Sequence, residues 1–168
     1  MDKLIAELAL ASLTWPELLL RVGLAACFGL MIGYDRNRKN KPVDFRVYVI
    51  VSVATTILAI LGQELYVEYA SAETVVSIDL AKIISGVMTG IGFLGAGAII
   101  KRDDDKVVGT ATGASIWASG GIGLTIGFGA YGLALITFAV ILVILLLGGV
   151  LNVRQYVKTK EEPVSGQH

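Results

Sequence analysis

A glycine-studded apolar run, Gly86-Val-Met-Thr-Gly-Ile-Gly-Phe-Leu-Gly-Ala-Gly97, lies among four other hydrophobic segments long enough to cross a bilayer. A hydrocarbon core of roughly 30 Å needs about 20 mostly apolar residues in a helix. Five segments approach that length: Pro16 to Tyr34, Arg46 to Gly62, Leu80 to Ile100, Thr110 to Phe128 and Tyr131 to Leu151. Lipid cannot satisfy backbone polar groups, and none of these segments alternates in polarity as a barrel strand does. The expected fold is therefore all-α, one bundle of five transmembrane helices. The composition agrees, with 55% hydrophobic and only 17% charged residues among 168 and a mean hydropathy of +0.73.

Lys and Arg are retained on the cytoplasmic side of short loops, whereas acidic residues contribute little to orientation. The first connection holds Arg36, Arg38, Lys39, Lys41 and Arg46, the third holds Lys101, Arg102 and Lys106, and Arg154, Lys158 and Lys160 follow the last helix. The second connection, Gln63 to Asp79, has Glu64, Glu68, Glu73 and Asp79 but no basic residue. This pattern places the N-terminus outside and the C-terminus inside. It also accounts for the basic clusters, so no nucleic-acid partner is read from them.

Residues 1–151 form the transmembrane domain, and 152–168 are a short polar cytoplasmic tail. Met1 to Trp15 reads either as a short amphipathic helix at the outer interface or as a frayed terminus. The first apolar span is not a cleavable leader, because Cys27 and Gly29 lie deep within it and no small-residue cleavage pattern closes it. One cysteine and one histidine, His168 at the chain end, suggest neither a disulfide nor a metal site. No cofactor is expected. An enzyme is disfavoured, since the membrane segments hold no nucleophile and histidine pair and no phosphate loop with its lysine.

Small residues let helix backbones approach in lipid. In the fourth segment Ala111, Ser115, Ser119, Gly123 and Gly127 recur every four residues, and in the third Gly86 pairs with Gly90 and Gly92 with Ala96. An antiparallel hairpin of helices three and four, packed through these faces, is the economical arrangement. Tight packing explains most of the glycines. However, Gly92, Gly95 and Gly97 fall on more than one face, which leaves open a broken helix lining a cavity. Spare small-residue faces also make self-association the expectation, with a dimer as the default, and the bulky fifth helix is expected to face membrane lipid.

Arg21 shares a helix face with Ala25, Gly29 and Gly33. Two readings stand: its stem snorkels to the outer headgroups, or its guanidinium is paired inside the bundle. Glu17, one turn earlier, and Asp79, three residues before Lys82, are the candidate partners, and an outer cluster of Arg21, Asp79 and Lys82 is geometrically feasible.

The inner end of helix one reads Gly33-Tyr-Asp-Arg-Asn-Arg-Lys-Asn-Lys-Pro-Val-Asp-Phe-Arg46. Here the chain resembles the MgtC/SapB family of bacterial membrane proteins, whose helix one ends in Gly-Leu-Glu-Arg, followed by a basic Gly-Lys-Pro-type loop and Gly-Leu-Arg-Thr. Gly33, Arg36, Lys41, Pro42 and Arg46 match in register, and Asp35 stands where the family has glutamate. Asp44 replaces a glycine, and Val47-Tyr48 stands in place of the usual Thr-His. Asp79 and Lys82 are similar to an Asp-Pro-Ser-Arg block, Thr89 to Gly97 is similar to Ser/Thr-Gly-Ile-Gly-Phe-Leu-Gly-Ala-Gly, and Gly109 to Trp117 is similar to Gly-Leu-Thr-Thr-Ala-Ala-x-x-Trp. The resemblance covers about Leu18 to Leu151.

That resemblance implies a multi-pass protein of the bacterial inner membrane, associated in the family with virulence, low-magnesium growth, intracellular survival or acid stress. Longer members carry an ACT-like domain after the last helix, which is not expected in this short form. Two function classes follow. One is a regulatory protein engaging a membrane-protein partner; the other is a small oligomer conducting Mg²⁺ or another cation along helices three and four. Mg²⁺ dehydrates reluctantly and is commonly held by carboxylates. No Asp or Glu lies mid-span, and Asp103, Asp104 and Asp105, flanked by Lys101, Arg102 and Lys106, read as a self-neutralised turn. The absence of mid-span carboxylates favours the regulatory class.

Overall fold

The computed structural model describes residues 12–39, 41, 43–70, 77–103 and 105–161, with side chains described as far as residue 148. Among the described residues the fold has five helices: α1 Trp15–Arg38, α2 Phe45–Ala70, α3 Leu80–Gly97, α4 Thr110–Gly127 and α5 Tyr131–Glu161. Four of them, α1, α2, α3 and the Tyr131–Gly148 part of α5, are long and apolar enough to cross a membrane. The fifth, α4, sits in the middle and touches all four others. Its Gly, Ser and Thr content lowers its hydropathy, and it tolerates this because protein surrounds it.

Local chemistry sets the helix ends. Pro16 opens α1, where its missing N–H removes no intrahelical bond. The Asp79 carboxylate caps α3 by accepting from the Ala81 and Lys82 amides at 3.0 and 3.3 Å. At the other end α3 stops at Gly97, short of the expected Ile100, because Ile100–Lys101 pairs antiparallel with Val107–Val108 as β1 and β2. The connection expected to be a plain loop is thus a two-stranded hairpin, closed by Asp105 at φ 60 and by a Lys101–Asp105 ion pair of 2.6 Å. Asp104 lies outside the described residues. Gly109 and Gly129, at φ 92 and 77, turn the chain into and out of α4. At the chain end α5 continues to Glu161, past the Leu151 boundary read from polarity, since no proline or glycine interrupts Asn152 to Glu161. Residues 1–11, most of the proposed interfacial segment, lie outside the described residues.

Glycines determine which helices approach most closely. A Cβ on Gly29 would come within 2.8 Å of the Tyr48 carbonyl oxygen, and one on Gly33 within 2.7 Å of the Phe45 carbonyl oxygen, so α1 and α2 are in backbone contact. Gly127 plays the same part between α4 and α2, where a Cβ would lie 2.5 Å from both Ala59 Cβ and the Thr56 carbonyl oxygen. Gly123, one turn earlier, faces the Ser52 carbonyl and Thr55. The apolar core runs through Ala25, Ile32, Tyr48, Val51, Ile91, Ile116, Ile122, Ile126 and Phe138. Phe138 of α5 stacks on Phe28 of α1 with centroids 4.2 Å apart.

Candidate functional site

The small-residue stripe of α4 faces α2, and this rearranges the expected hairpin. Ser115 and Ser119 are buried along that side, with their hydroxyls donating to the Ala111 and Ser115 carbonyls. Helix α3 meets α4 through other positions: a Cβ on Gly95 would lie 2.9 Å from the Gly113 carbonyl oxygen, and the Ile91 side chain fills the space over Gly120. Gly86, Gly90, Gly92 and Gly97 point elsewhere, and a Cβ on any of them would meet nothing within 4 Å among the described residues. The hairpin through Gly86 and Gly90 is therefore not the one formed, because packing Ile91 onto Gly120 turns those glycines outward. Nor is α3 broken; it runs uninterrupted from Leu80 to Gly97.

Ser52, Thr55 and Thr56 of α2 and Thr112, Ser115 and Ser119 of α4 form a set of buried hydroxyls on the two helices. Most bond back to carbonyls of their own helix, as Thr55 does to Val51 at 3.0 Å. Thr56 also crosses to the Gly123 carbonyl at 2.8 Å, and such crossing bonds fix helix register where water is excluded.

Two buried arginines of α1 bracket α4. Arg21 and Arg36 are separated by as many residues as Gly127 and Thr112, a rise of about 22 Å in either helix. Arg21, 5% exposed, donates to the Gly127 carbonyl at 2.5 Å, to the Tyr131 hydroxyl at 3.1 Å and to Gln63 at 3.4 Å. Glu17 neutralises it at 2.5 Å. A cation at a helix C-terminus is favourably placed against the dipole, so Arg21 joins α1, α2, α4 and α5 at one point. The expected cluster with Asp79 and Lys82 does not form. Asp79 is occupied in capping α3, and its contact with Lys82 is a loose 3.9 Å pair on the surface.

At the other end Arg36, also 5% exposed, donates to the Thr112 hydroxyl at 2.9 Å. The Tyr48 hydroxyl faces both groups without completing a hydrogen bond to either. Asp35 beside it is bound to Lys39 at 2.7 Å, and Lys39 also donates to the Leu145 carbonyl of α5 at 2.6 Å. Arg46 pairs with Asp44 at 2.9 Å in the open. Side-chain and backbone hydrogen bonds from Arg46 hold the Asp44 carboxyl well below the usual carboxylate range, at about 2.

Gly113, Gly120 and Gln63 are contact residues that the sequence reading passed over, whereas Thr112 stood among the interior hydroxyls expected to bond across helices, as it does to Arg36. Gly113 and Gly120, one heptad apart, carried a periodic signal overshadowed by the four-residue stripe beside them. Tyr48 and Ser52, one helical turn apart on α2, gave only the signal of polar groups within an apolar span. No cluster of His, Cys, Asp and Glu able to hold a metal ion occurs among the described residues.

Residues 22–153 match the MgtC family. Among its relatives, SapB of Bacillus subtilis is 32% identical over 71% of this chain and 52% of its own length. An uncharacterized protein of Haemophilus influenzae is 36% identical over 82% of this chain and 59% of its own. The YhiD protein of Escherichia coli, named provisionally as a magnesium transporter, is 33% identical over 71% of this chain and 54% of its own. The chain thus spans about half the length of the curated relatives it matches. No solved structure matches it. A family match across most of the chain, with relatives above 30% identity covering more than two thirds of it, means that the chain belongs to the MgtC family.

Proposed function

We propose that this protein is a non-enzymatic regulator of the bacterial inner membrane that works by contact with membrane partners through the outward face of α3. The observation that carries this reading is the bareness of that face: Gly86, Gly90 and Gly97 would accept a Cβ with nothing within 4 Å among the described residues, while Phe93 is 80% exposed. Glycine weakens a helix by about 1 kcal/mol per residue relative to alanine. Three of them, sharing with Phe93 a face that packs against nothing among the described residues, are accounted for by a partner helix whose backbone comes close. A second copy is the first such partner, giving a dimer, and another membrane protein is the second. All five helices span, with α4 shielded by its neighbours. The Lys and Arg of the first and third connections put those loops in the cytoplasm and the N-terminus outside.

Replacing Gly86 or Gly90 with leucine tests the reading, because a Cβ at either position meets nothing within 4 Å among the described residues. Gly86→Leu and Gly90→Leu are expected to leave thermal stability in detergent unchanged while abolishing association in lipid nanodiscs. Unchanged association in both variants would overturn the proposed contact.

The provisional magnesium-transporter naming of YhiD favours a second reading, a cation-conducting oligomer. Within one chain the seam of α3 and α4 is filled where Ile91 meets Gly120 and Gly95 meets Gly113. A conducting path would therefore run between copies, along the outward side of α3.

A further inference from the structure

The two arginines that bracket α4 are electrostatically unequal. Arg21 lies at the negative end of the helix and has Glu17 as its counter-charge. Arg36 lies at the positive end, bound to Thr112 in the first turn of α4. That end begins at Gly109, has no side-chain cap and carries no acidic residue in its first turn. Two positive features therefore coincide in a buried place. The nearby carboxylates are engaged elsewhere, Asp35 with Lys39 and Asp44 with Arg46. Among the described residues no carboxylate pairs with Arg36.

The hydrogen bonding is unequal in the same direction. Arg36 Nε and the Tyr48 hydroxyl are both buried with no partner among the described residues, and so is the Ser52 hydroxyl one turn further along α2. A guanidinium has only donors, and the Tyr48 and Ser52 hydroxyls can each donate. What would complete this group is an acceptor. An uncompensated charge in a low-dielectric interior is costly, so an acceptor that also carries negative charge answers both deficits. Helix N-termini bind anions for the same reasons.

We propose that Arg36, the uncapped start of α4 and the Tyr48 hydroxyl form a binding site for one small inorganic anion of halide size. Enclosure sets the size. Tyr48 is fully buried where α1 and α2 are in backbone contact at Gly29 and Gly33, and a monatomic anion asks the least room of so enclosed a cluster. The site is intrinsic to the chain and stands whether the protein acts by contact or by conduction.

The test is thermal unfolding of the purified full chain in sodium chloride and in sodium gluconate at matched ionic strength, because a ligand that binds only the folded state raises its stability saturably. Chloride and bromide are expected to raise the wild-type unfolding temperature to a plateau, with gluconate inert. Tyr48→Phe should increase the half-saturating chloride concentration about tenfold, as expected for one lost hydrogen bond to a charged group. Arg36→Gln should abolish the dependence. If that variant fails to fold, Thr112→Val, which frees the guanidinium from its anchor, should weaken binding several-fold while keeping the charge. Equal unfolding temperatures for the wild type in the two salts, as for a site satisfied by water, would overturn the proposal. So would an unchanged half-saturation in Tyr48→Phe.

Discussion

Arg21 of α1 donates to the carbonyl oxygen of Gly127 at 2.5 Å, closing the C-terminal end of the central helix with a cation. The contact explains why Gly127 and Gly129 flank that end. At Gly127 a side chain would strike α2, and a Cβ on Gly129 would press within 3.1 Å of the guanidinium.

Because the guanidinium serves Gly127, Tyr131, Gln63 and Glu17 together, its planar fork matters as well as its charge. Arg21→Ala is expected to destabilise the protein by about 3 kcal/mol, in the range for breaking a buried charged network. Arg21→Lys should recover less than half of that, because an ammonium cannot reproduce the fork. Unfolding in detergent measures both, and full rescue by lysine would show that charge alone suffices.

Glycines of similar appearance in the sequence should respond oppositely to alanine. Gly123→Ala and Gly127→Ala drive a methyl into the Ser52, Thr56 and Ala59 region of α2 and are expected to cost about 1 to 3 kcal/mol by overpacking. Gly86→Ala and Gly92→Ala place a methyl that meets nothing within 4 Å among the described residues and should be neutral or stabilising by up to about 1 kcal/mol, the helix-propensity gain. Melting temperatures of the four variants check the contrast.

The sequence made much of this arrangement legible. Helix number and type follow from apolar segments at membrane length, and the stripe from Ser115 to Gly127 identified a true contact face. Its partner was not legible, because a run of small residues says that something approaches without saying what. Ile91 decided the matter: its side chain fits over Gly120 and turns Gly86 and Gly90 away from α4. Arg21 was conspicuous as a charge in a span, but its principal acceptor is the backbone of Gly127, a group present at every residue and marked by no side chain. The α3–α4 hairpin strands are only two residues each, too short for alternation to register.

Ser52 offers a test of the buried hydroxyl set. Its hydroxyl is buried with no partner among the described residues, whereas its carbonyl accepts from Thr55 and Thr56. Removing an unsatisfied buried polar group should not cost stability. Ser52→Ala is therefore expected to be neutral or stabilising by about 1 kcal/mol, while Thr56→Val, which breaks the bond to Gly123, should destabilise by about 1 kcal/mol. Chemical denaturation of the two variants distinguishes them.

The Asp44–Arg46 pair predicts a pH response at the start of α2. With the folded carboxyl held at about 2 against an ordinary value of 3.8, the pair's contribution is fully present above pH 3.8. It is lost as the pH falls through about 2. Carbon-detected titration of the Asp44 carboxyl should give a midpoint near the lower value, and Arg46→Gln should raise it toward the ordinary range, short of full return because the backbone amide of residue 46 still donates.

The most direct test of action by contact is Mg²⁺ flux into liposomes containing the purified, folded wild-type protein. Action by contact predicts flux no greater than in protein-free liposomes. Flux above that level, abolished by Gly90→Leu, would contradict it and make conduction between α3 faces the protein's activity.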